Sequence, residues 1–255
     1  MNAEKLVNVR YLESLLHYKF NDPSLLVEAL THGSYMLPEI PRCYQRLEFL
    51  GDAVLDYVVT AHLYFKYPGL TPGLITDLRS ASVNNECYAQ SAVKAGLHKH
   101  ILHASQDLQK QIFNAVEGFE KLDLVSTFGW EAETTFPKVL GDVIESLAGA
   151  IFVDSGFDKD TTFQCIRPLL EPLVTPETVK LQPVRELSEL CDQKGYTRKK
   201  DIVSRENGVA YITVEVEANG VIHKSTCSGR DKIMAKKVAS KNVLKSLKEC
   251  PSNAT

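Results

Sequence analysis

Two apolar segments that each carry a pair of acidic residues at helical spacing constrain the fold of this chain more than any other feature. The first segment contains Glu48 and Asp52, and the second contains Asp142 and Glu145. Residues three or four positions apart lie on the same face of an α-helix, so each pair shares a face. Almost every other side chain in both segments is apolar, which predicts two helices buried within a mainly helical domain.

These four carboxylates need positive charge nearby, because acidic side chains are rarely buried without a partner. The neighbouring sequence supplies only Arg46 and Lys138. Ligand sets made of oxygen alone favour Mg²⁺ or Mn²⁺ over zinc. We therefore predict that the four carboxylates hold Mg²⁺ (or Mn²⁺), an ion that can activate water against a phosphate. The alternative, ordinary surface acids at helical spacing, fits a single pair better than two pairs in apolar helices.

Both segments contain the tripeptide Leu-Gly-Asp, which ends at Asp52 in the first and at Asp142 in the second. Gly51 and Gly141 lack side chains, so we expect them to let the two helices approach closely enough to share ions. Asp56 extends the first acidic stripe by another turn, and we interpret it as structural, through capping or pairing with a basic residue.

Apolar residues recur at helical spacing through most of residues 5–174, which we predict to be one helical domain. The predicted helices are Val9–Leu16, Ser24–Leu30, Tyr44–Tyr67, Ile75–Ala95, Pro137–Asp154 and Asp158–Leu170. Asp22 and Pro23 favour the start of the second of these helices. The stretch 103–136 is less regular and is predicted to contain an exposed insertion. Prolines then mark a linker over 175–183.

The remaining residues, 184–249, change period and predict a small α-β-β-β-α domain. Its predicted elements are a helix, three strands and a helix: Val184–Gln193, Asp201–Ser204, Tyr211–Glu217, Val221–Ser228 and Lys232–Lys248. Asn219 and Gly220 are typical of a two-residue hairpin between the last two strands.

The net charge of −3 hides an uneven distribution of charged residues. Residues from Val179 onward contain 15 Lys and Arg against 9 Asp and Glu, a net charge of +6, and the preceding residues carry −9. This division suggests that the basic part holds a polyanion while the acidic part holds metal cations, although ordinary solvated surface charge is the alternative. No run of about 18 apolar residues and no apolar signal core is present, so we expect an intracellular protein, nuclear or cytoplasmic, without a membrane span.

Several motifs of the acidic part resemble those of the ribonuclease III family. Gln45–Leu55 is similar to the family signature, and Cys43–Glu48 is similar in particular to Dicer and plant Dicer-like members. The other similar motifs are Thr31–Tyr35, Leu78–Ser80 with Val83–Asn85, and Pro137–Ala150. With the tail, the resemblance covers nearly the whole chain and implies a helical ribonuclease III endonuclease domain followed by a double-stranded-RNA-binding domain.

The resemblance implies an endoribonuclease that hydrolyses double-stranded RNA with Mg²⁺, leaving 5′-phosphate and 3′-hydroxyl ends, in small-RNA biogenesis and RNA silencing. The four carboxylates would be the metal ligands, and Lys138 would contact either the scissile phosphate or the acidic cluster. His32 is interpreted as structural, and the roles of Asn84 and Asn85 in RNA contact or helix capping stay open. Two such domains pair, so the implied partner is a second ribonuclease III domain, in a homodimer or upstream in a longer chain. The alternative is a catalytically silent module that binds double-stranded RNA or dimerises. A carboxylate-bridged di-iron bundle is disfavoured, because this sequence lacks the Glu-x-x-His pairs that such sites normally use.

The tail resembles a double-stranded-RNA-binding domain, which recognises duplex shape through phosphates and 2′-hydroxyls. The resemblance implies RNA contact by Glu189 of the first helix and by Lys232, Lys236 and Lys237 of the last one. Ile233 stands where the family usually has another lysine. Since each lost phosphate contact weakens binding and flattens its salt dependence, we expect weaker binding than in a domain with the full motif. A protein-contact role for this basic helix is the alternative.

Overall fold

The structure is a computed structural model that describes residues 7–35, 42–120, 136–179, 183–206, 209–229 and 232–249. The chain divides into two compact units, Met1–Lys180 and Leu181–Thr255, so the division falls within the predicted linker. Among the described residues, no helix combines the length and the apolar character needed to cross a membrane.

In its described residues, the first unit is built from α-helices and two short 3-10 helices joined by loops, with one isolated β-bridge between Thr31 and Leu102. Its helices are α1 (Val9–Leu16), α2 (Pro23–Leu30), α3 (Gln45–Lys66), α4 (Pro72–Ser82), α5 (Asn85–Lys94), α6 (Gln106–Glu120), α7 (Val139–Asp154) and α8 (Lys159–Leu170). As predicted, Asp22 caps α2 by accepting a hydrogen bond from the backbone N–H of Ser24, and Pro23 occupies the first helical position. The mainly helical fold expected from the sequence is confirmed.

The prediction of a single helix over Ile75–Ala95 is wrong, because the structure has two helices there. The chain leaves α4 after Ser82, and Asn84 begins α5 by accepting a hydrogen bond from the backbone N–H of Cys87 at 3.0 Å. A side-chain oxygen at this position satisfies a backbone donor that has no partner within the new helix. Asn84 is therefore a helix cap, one of the two roles left open by the sequence.

The irregular structure expected over 103–136 is wrong for its first part, where Gln106–Glu120 forms α6, and the predicted insertion stays a prediction. This helix is amphipathic, and its apolar face joins the core of the unit. The buried side chains on that face are Ile112, Ala115 and Phe119. Residues 121–135 lie outside the described residues.

Helix α7 lies at the centre of the first unit and is buried along most of its length, with only Glu145 partly exposed between Val139 and Ile151. Helix α3 packs closely against it. A Cβ atom built at Gly51 would overlap the backbone carbonyl of Glu145, and one built at Gly149 would overlap the backbone carbonyl of Leu47. Two glycines, one on each helix, therefore let the backbones of α3 and α7 touch.

The expected role of Gly141 in this approach is wrong. A Cβ atom at Gly141 would overlap the side chain of Asn85 on α5, so this glycine brings α7 close to α5 and not to α3. Gly141 lies in the first turn of α7 and faces α5, whereas Gly149, eight residues later, faces α3.

The second unit is a four-stranded antiparallel sheet with two helices. Its elements are α9 (Pro183–Lys194), β1 (Thr197–Arg198), β2 (Ile202–Glu206), β3 (Val209–Ala218), β4 (Val221–Gly229) and α10 (Lys232–Glu249). Strand β3 pairs with β4 along one edge, and with β1 and β2 at successive positions along the other. The predicted α-β-β-β-α order is confirmed, with β1 as an additional two-residue strand.

The core of the second unit forms where alternate residues of β3 meet α9 and α10. Val214 and Val216 of β3 pack with Leu187 of α9 and with Ala235 and Ala239 of α10. The β3–β4 turn has positive φ angles at both of its central residues, 51° at Asn219 and 77° at Gly220, as the predicted two-residue hairpin requires.

Candidate metal centre

The packing of α3 against α7 brings three carboxylates together. Glu48 on α3 and Asp142 and Glu145 on α7 each offer an oxygen atom within 4.8 Å of the others. Asp142 is almost completely buried, with 1% of its surface exposed. The two acidic segments chosen from the sequence thus meet at one site, although they are far apart along the chain.

Asp52 lies one turn after Glu48 on α3, on the exposed side of the helix. Its carboxylate does not belong to the 4.8 Å group found among the described residues. Its charge nevertheless acts on that group, because Asp52 is the largest contributor, after burial, to the raised pKa of Glu145. Asp52 therefore borders the cluster on its solvent side.

Glu145 shows how strongly the cluster concentrates negative charge. Burial, followed by the charges of Asp52, Asp142 and Glu48, raises the pKa of Glu145 from 4.5 to about 8. A carboxyl group with such a pKa is largely protonated at neutral pH until a cation compensates the charge around it.

Lys138 supplies part of that compensation. Its Nζ atom donates hydrogen bonds of 2.6 Å to Glu48 Oε1 and 2.6 Å to Asp142 Oδ1. Burial lowers the pKa of Lys138, but these two bonds outweigh burial and raise it overall. Of the two roles considered for Lys138, the structure displays the contact with the acidic cluster, and 70% of the side chain is still exposed.

The second oxygen of Asp142 has a different partner. The hydroxyl group of Tyr44 donates a hydrogen bond of 2.9 Å to Asp142 Oδ2. Burial raises the pKa of Asp142, while the hydrogen bonds from Lys138 and Tyr44 oppose that rise. Both carboxylate oxygens are thus held by donors that come from outside the cluster.

The residues present fit a divalent cation. All the donor atoms are carboxylate oxygens, which Mg²⁺ and Mn²⁺ prefer. One lysine does not neutralise four neighbouring carboxylates, and the pKa of Glu145 is raised by burial and, next, by the negative charges of these neighbours. A bound divalent ion would remove this excess.

Two other residues selected from the sequence have structural contacts. Asp56 forms an ion pair with Arg79 on α4 at 3.3 Å, which is the pairing with a base considered for it. His32 Nδ1 lies 2.8 Å from the hydroxyl oxygen of Ser34, and its ring packs 6.0 Å from that of Tyr44. Neither side chain belongs to the carboxylate group.

The candidate RNA-binding residues of the second unit differ in their surroundings. Lys232 is exposed, whereas Lys236 forms an ion pair of 2.7 Å with Asp201. Lys237 is buried, with 8% of its surface exposed. Glu189 forms an ion pair of 2.7 Å with Arg185. RNA contact by these four residues stays a prediction, and Lys232 has the most accessible side chain among them.

Tyr44 is the member of the site that the sequence-based reasoning did not single out. It stands one helical turn before Glu48, immediately before α3. That spacing is the signal that could have identified it, since residues four apart on a helix lie on the same face.

Comparison with known proteins identifies the class to which this fold and site belong. The Ribonuclease III domain family matches residues 45–156, which include all four acidic residues. The nuclease domain of ribonuclease III from Campylobacter jejuni superposes with a TM-score of 0.50 at 32% identity, covering 65% of this chain and 98% of that domain. The chain belongs to the ribonuclease III family.

Plant Dicer proteins are among its similar relatives, as the motif resemblance indicated. Endoribonuclease Dicer homolog 2 of Arabidopsis thaliana is 64% identical over 250 residues, which cover 97% of this chain and 18% of that protein. Endoribonuclease Dicer homolog 2a of Oryza sativa is 52% identical over 249 residues, covering 97% of this chain and 17% of that protein. The chain therefore spans less than a fifth of the length of these two relatives.

Proposed function

We propose that this chain cuts double-stranded RNA by Mg²⁺- or Mn²⁺-dependent hydrolysis of phosphodiesters, leaving 5′-phosphate and 3′-hydroxyl ends. The observation that carries the proposal is the meeting of Glu48, Asp142 and Glu145, from two helices, within 4.8 Å. Membership of the ribonuclease III family supports the reaction class.

In this proposal the four carboxylates, including Asp52, hold the ion, and each has a distinct position. Asp142 is fixed deep in the site, Glu145 and Glu48 stand beside it, and Asp52 lies toward solvent, where a phosphate would approach. When bound, a divalent ion supplies Lewis acidity that makes water a better nucleophile and neutralises charge on the phosphate. Lys138 bridges Glu48 and Asp142 and keeps an exposed side chain that can turn toward the phosphate.

We further propose a division of labour between the two units. Residues 5–174 would form the nuclease domain, 175–183 the linker and 184–249 the domain that holds duplex RNA. Glu189, Lys232, Lys236 and Lys237 would contact this RNA, and Lys232 is the most exposed of the four. From the resemblance to Dicer-like proteins, we further propose that the reaction serves small-RNA biogenesis and RNA silencing. A catalytically silent module that only binds duplex RNA is the competing function.

Cleavage of end-labelled duplex RNA in the presence of different ions tests the proposal. We expect cutting with Mg²⁺ or Mn²⁺, none with EDTA, and recovery when Mg²⁺ is added in excess. A single strand of the same sequence should survive. The products should be substrates for a phosphatase at their 5′ ends and for a ligase at their 3′ ends.

Other results would point to other functions. Ends carrying a 2′,3′-cyclic phosphate would show attack by the RNA's own 2′-hydroxyl, and cutting in EDTA would show that no divalent ion is required. Either result would exclude the proposed chemistry. Duplex binding without any cutting, across the whole ion series, would favour the silent module.

We also propose that the nuclease domain pairs with a second ribonuclease III domain through the outer face of α3, formed by Phe49, Ala53 and Tyr57. These residues repeat every four positions, and Phe49 has 82% of its surface exposed. An apolar stripe of this kind, adjacent to Glu48 and Asp52, is costly in water unless it is covered. The Campylobacter jejuni domain is described as having a region involved in dimer formation. One acidic site serves one strand, so pairing would provide a site for each strand.

Phe49→Arg should therefore prevent pairing without unfolding the domain. For the wild-type chain we expect a molar mass by light scattering of about twice the 28.4 kDa of one chain. The variant should have the mass of one chain, keep its circular dichroism spectrum, and nick duplexes or leave them intact. Phe113→Arg is the matched control, because Phe113 on α6 is 63% exposed in the same unit and should not affect the mass. A wild-type mass of one chain would exclude pairing between two copies of this chain. If the wild type is a dimer, an unchanged mass for Phe49→Arg would exclude this surface.

A further inference from the structure

Tyr44 links the two acidic helices at the point where Glu48 and Asp142 approach each other. Its backbone carbonyl accepts the N–H of Glu48 at 2.8 Å as the first hydrogen bond of α3, and its own N–H donates to Thr31 at 2.9 Å. Its side chain is buried, and its hydroxyl group reaches Asp142 Oδ2 on α7 at 2.9 Å. Tyr44 is thus anchored by its backbone on one acidic helix and by its hydroxyl group on the other.

The two donors to Asp142 differ in what a cation does to them. Lys138 Nζ is positively charged and bonds both Glu48 and Asp142, so an entering cation repels it and competes for the same oxygens. The Tyr44 hydroxyl is neutral and needs only one lone pair of Oδ2. A carboxylate has about four lone-pair positions, so Asp142 can keep this bond and still bind an ion.

The setting of Asp142 makes this bond important. With 1% of its surface exposed, Asp142 has little access to water that could replace a lost donor. A buried acceptor that loses its partner is costly, and a free carboxylate can rotate about its terminal torsion. Partners that orient metal ligands typically change metal affinity 10- to 100-fold when they are removed.

We propose that Tyr44 is a positioning residue that holds the Asp142 carboxylate in the orientation needed to bind the catalytic ion. The inference rests on the proposed metal-dependent function, and it predicts a loss of ion affinity in Tyr44→Phe, which keeps the aromatic ring and removes only the hydroxyl group.

Mn²⁺ binding to the full chain without RNA, measured by electron paramagnetic resonance of free Mn²⁺, provides the test. Tyr44→Phe should raise the dissociation constant about 10-fold. The Mg²⁺ concentration for half-maximal duplex cleavage should rise by about the same factor, and the maximal rate should largely recover at saturating Mg²⁺.

Tyr18→Phe is the matched control. Tyr18 donates the same kind of hydrogen bond, 2.8 Å long, to Asp154 at the opposite end of α7. Asp154 is partly exposed and also accepts hydrogen bonds from the backbone N–H groups of Asn21 and Asp22, so Tyr18→Phe should lower the melting temperature less than Tyr44→Phe does. Its Mn²⁺ affinity and Mg²⁺ requirement should stay at wild-type values. A purely structural role for Tyr44 would leave both of these quantities at wild-type values in Tyr44→Phe as well.

The outcomes separate this inference from the proposed function. Wild-type Mn²⁺ affinity in Tyr44→Phe, or an equal loss in both variants, would overturn the positioning role while the nuclease proposal stands. If the wild-type chain neither binds Mn²⁺ nor cuts RNA, both proposals are overturned together.

Discussion

Glu145→Gln is expected to abolish cleavage of duplex RNA while making the ion-free protein more stable at alkaline pH. The amide keeps the size of the side chain but lacks the negative charge that a divalent ion requires from its ligands. Since removing residues that merely orient ligands costs 10- to 100-fold, we expect the loss of a ligand to reduce the rate at least about 100-fold. The measurement is initial cleavage rate at saturating Mg²⁺.

The gain in stability follows from the raised pKa of Glu145. Its pKa is about 8 in the folded state against 4.5 ordinarily, so between these values the folded state binds more protons than the unfolded state. The free energy of unfolding of the wild type therefore falls as pH rises through this window, and the full cost is present above pH 8. Glutamine does not ionise, so the free energy of unfolding of the variant does not fall in this way. After solvent screening is allowed for, we expect the variant to gain on the order of 2 kcal/mol at high pH and little near pH 4.5.

Glu171→Gln controls for the loss of one negative charge from the same unit. Glu171 is exposed and forms an ion pair of 2.9 Å with Arg167, and such surface pairs contribute about 0–1 kcal/mol. We expect normal cleavage and no pH-dependent gain in the control. Melting curves in EDTA across the pH window measure the stability of each protein. If Glu145→Gln cuts RNA like the wild type, Glu145 is not a metal ligand. If the free energy of unfolding of Glu145→Gln does not rise relative to the wild type at high pH, the acidic residues are not crowded in solution.

The two acidic helices could be predicted from the sequence because acidic side chains are rarely buried, and here they occur in segments that are otherwise apolar. Acidic residues at helical spacing stand out against an apolar background, and their positions on α3 and α7 follow from the periodicity alone. The Asn219–Gly220 hairpin was predictable for a similar local reason, since both residues tolerate the positive φ angles that the turn needs.

Two kinds of feature could not be predicted from periodicity: a break between helices that share one apolar spacing, and contacts between residues far apart in the chain. The apolar spacing continues from Leu78 through Ala89, so periodicity does not distinguish one helix from α4 and α5 with a break between them. The hydrogen bond from Tyr44 to Asp142 joins residues that are 98 positions apart in the chain. Gly141 was assigned to the wrong neighbour because the sequence does not specify which helix each side of α7 meets.

Gly51→Ala should destabilise the protein and weaken its metal site, although helix propensity predicts the opposite sign. Alanine is more favourable than glycine in a helix interior by about 1 kcal/mol. At Gly51, however, the added Cβ would overlap the backbone carbonyl of Glu145, and backbone cannot move aside as a flexible side chain can. Overpacking of this kind typically costs about 1–3 kcal/mol, so we expect a net loss of about 2 kcal/mol in urea unfolding.

The same substitution should also affect catalysis, because Gly51 lies between Glu48 and Asp52 and touches Glu145. Separating α3 from α7 moves the carboxylates apart, so the variant should need more Mg²⁺ for half-maximal cleavage even where it is fully folded. Gly69→Ala is the matched control: a Cβ atom added at Gly69 would meet no other atom within 4 Å, and its φ angle is not left-handed, so this change should be neutral or slightly stabilising. A Gly51→Ala protein as stable as this control would mean that α3 and α7 are not in backbone contact. The distance between their carboxylates, on which the proposed chemistry depends, would then have to be set by other residues.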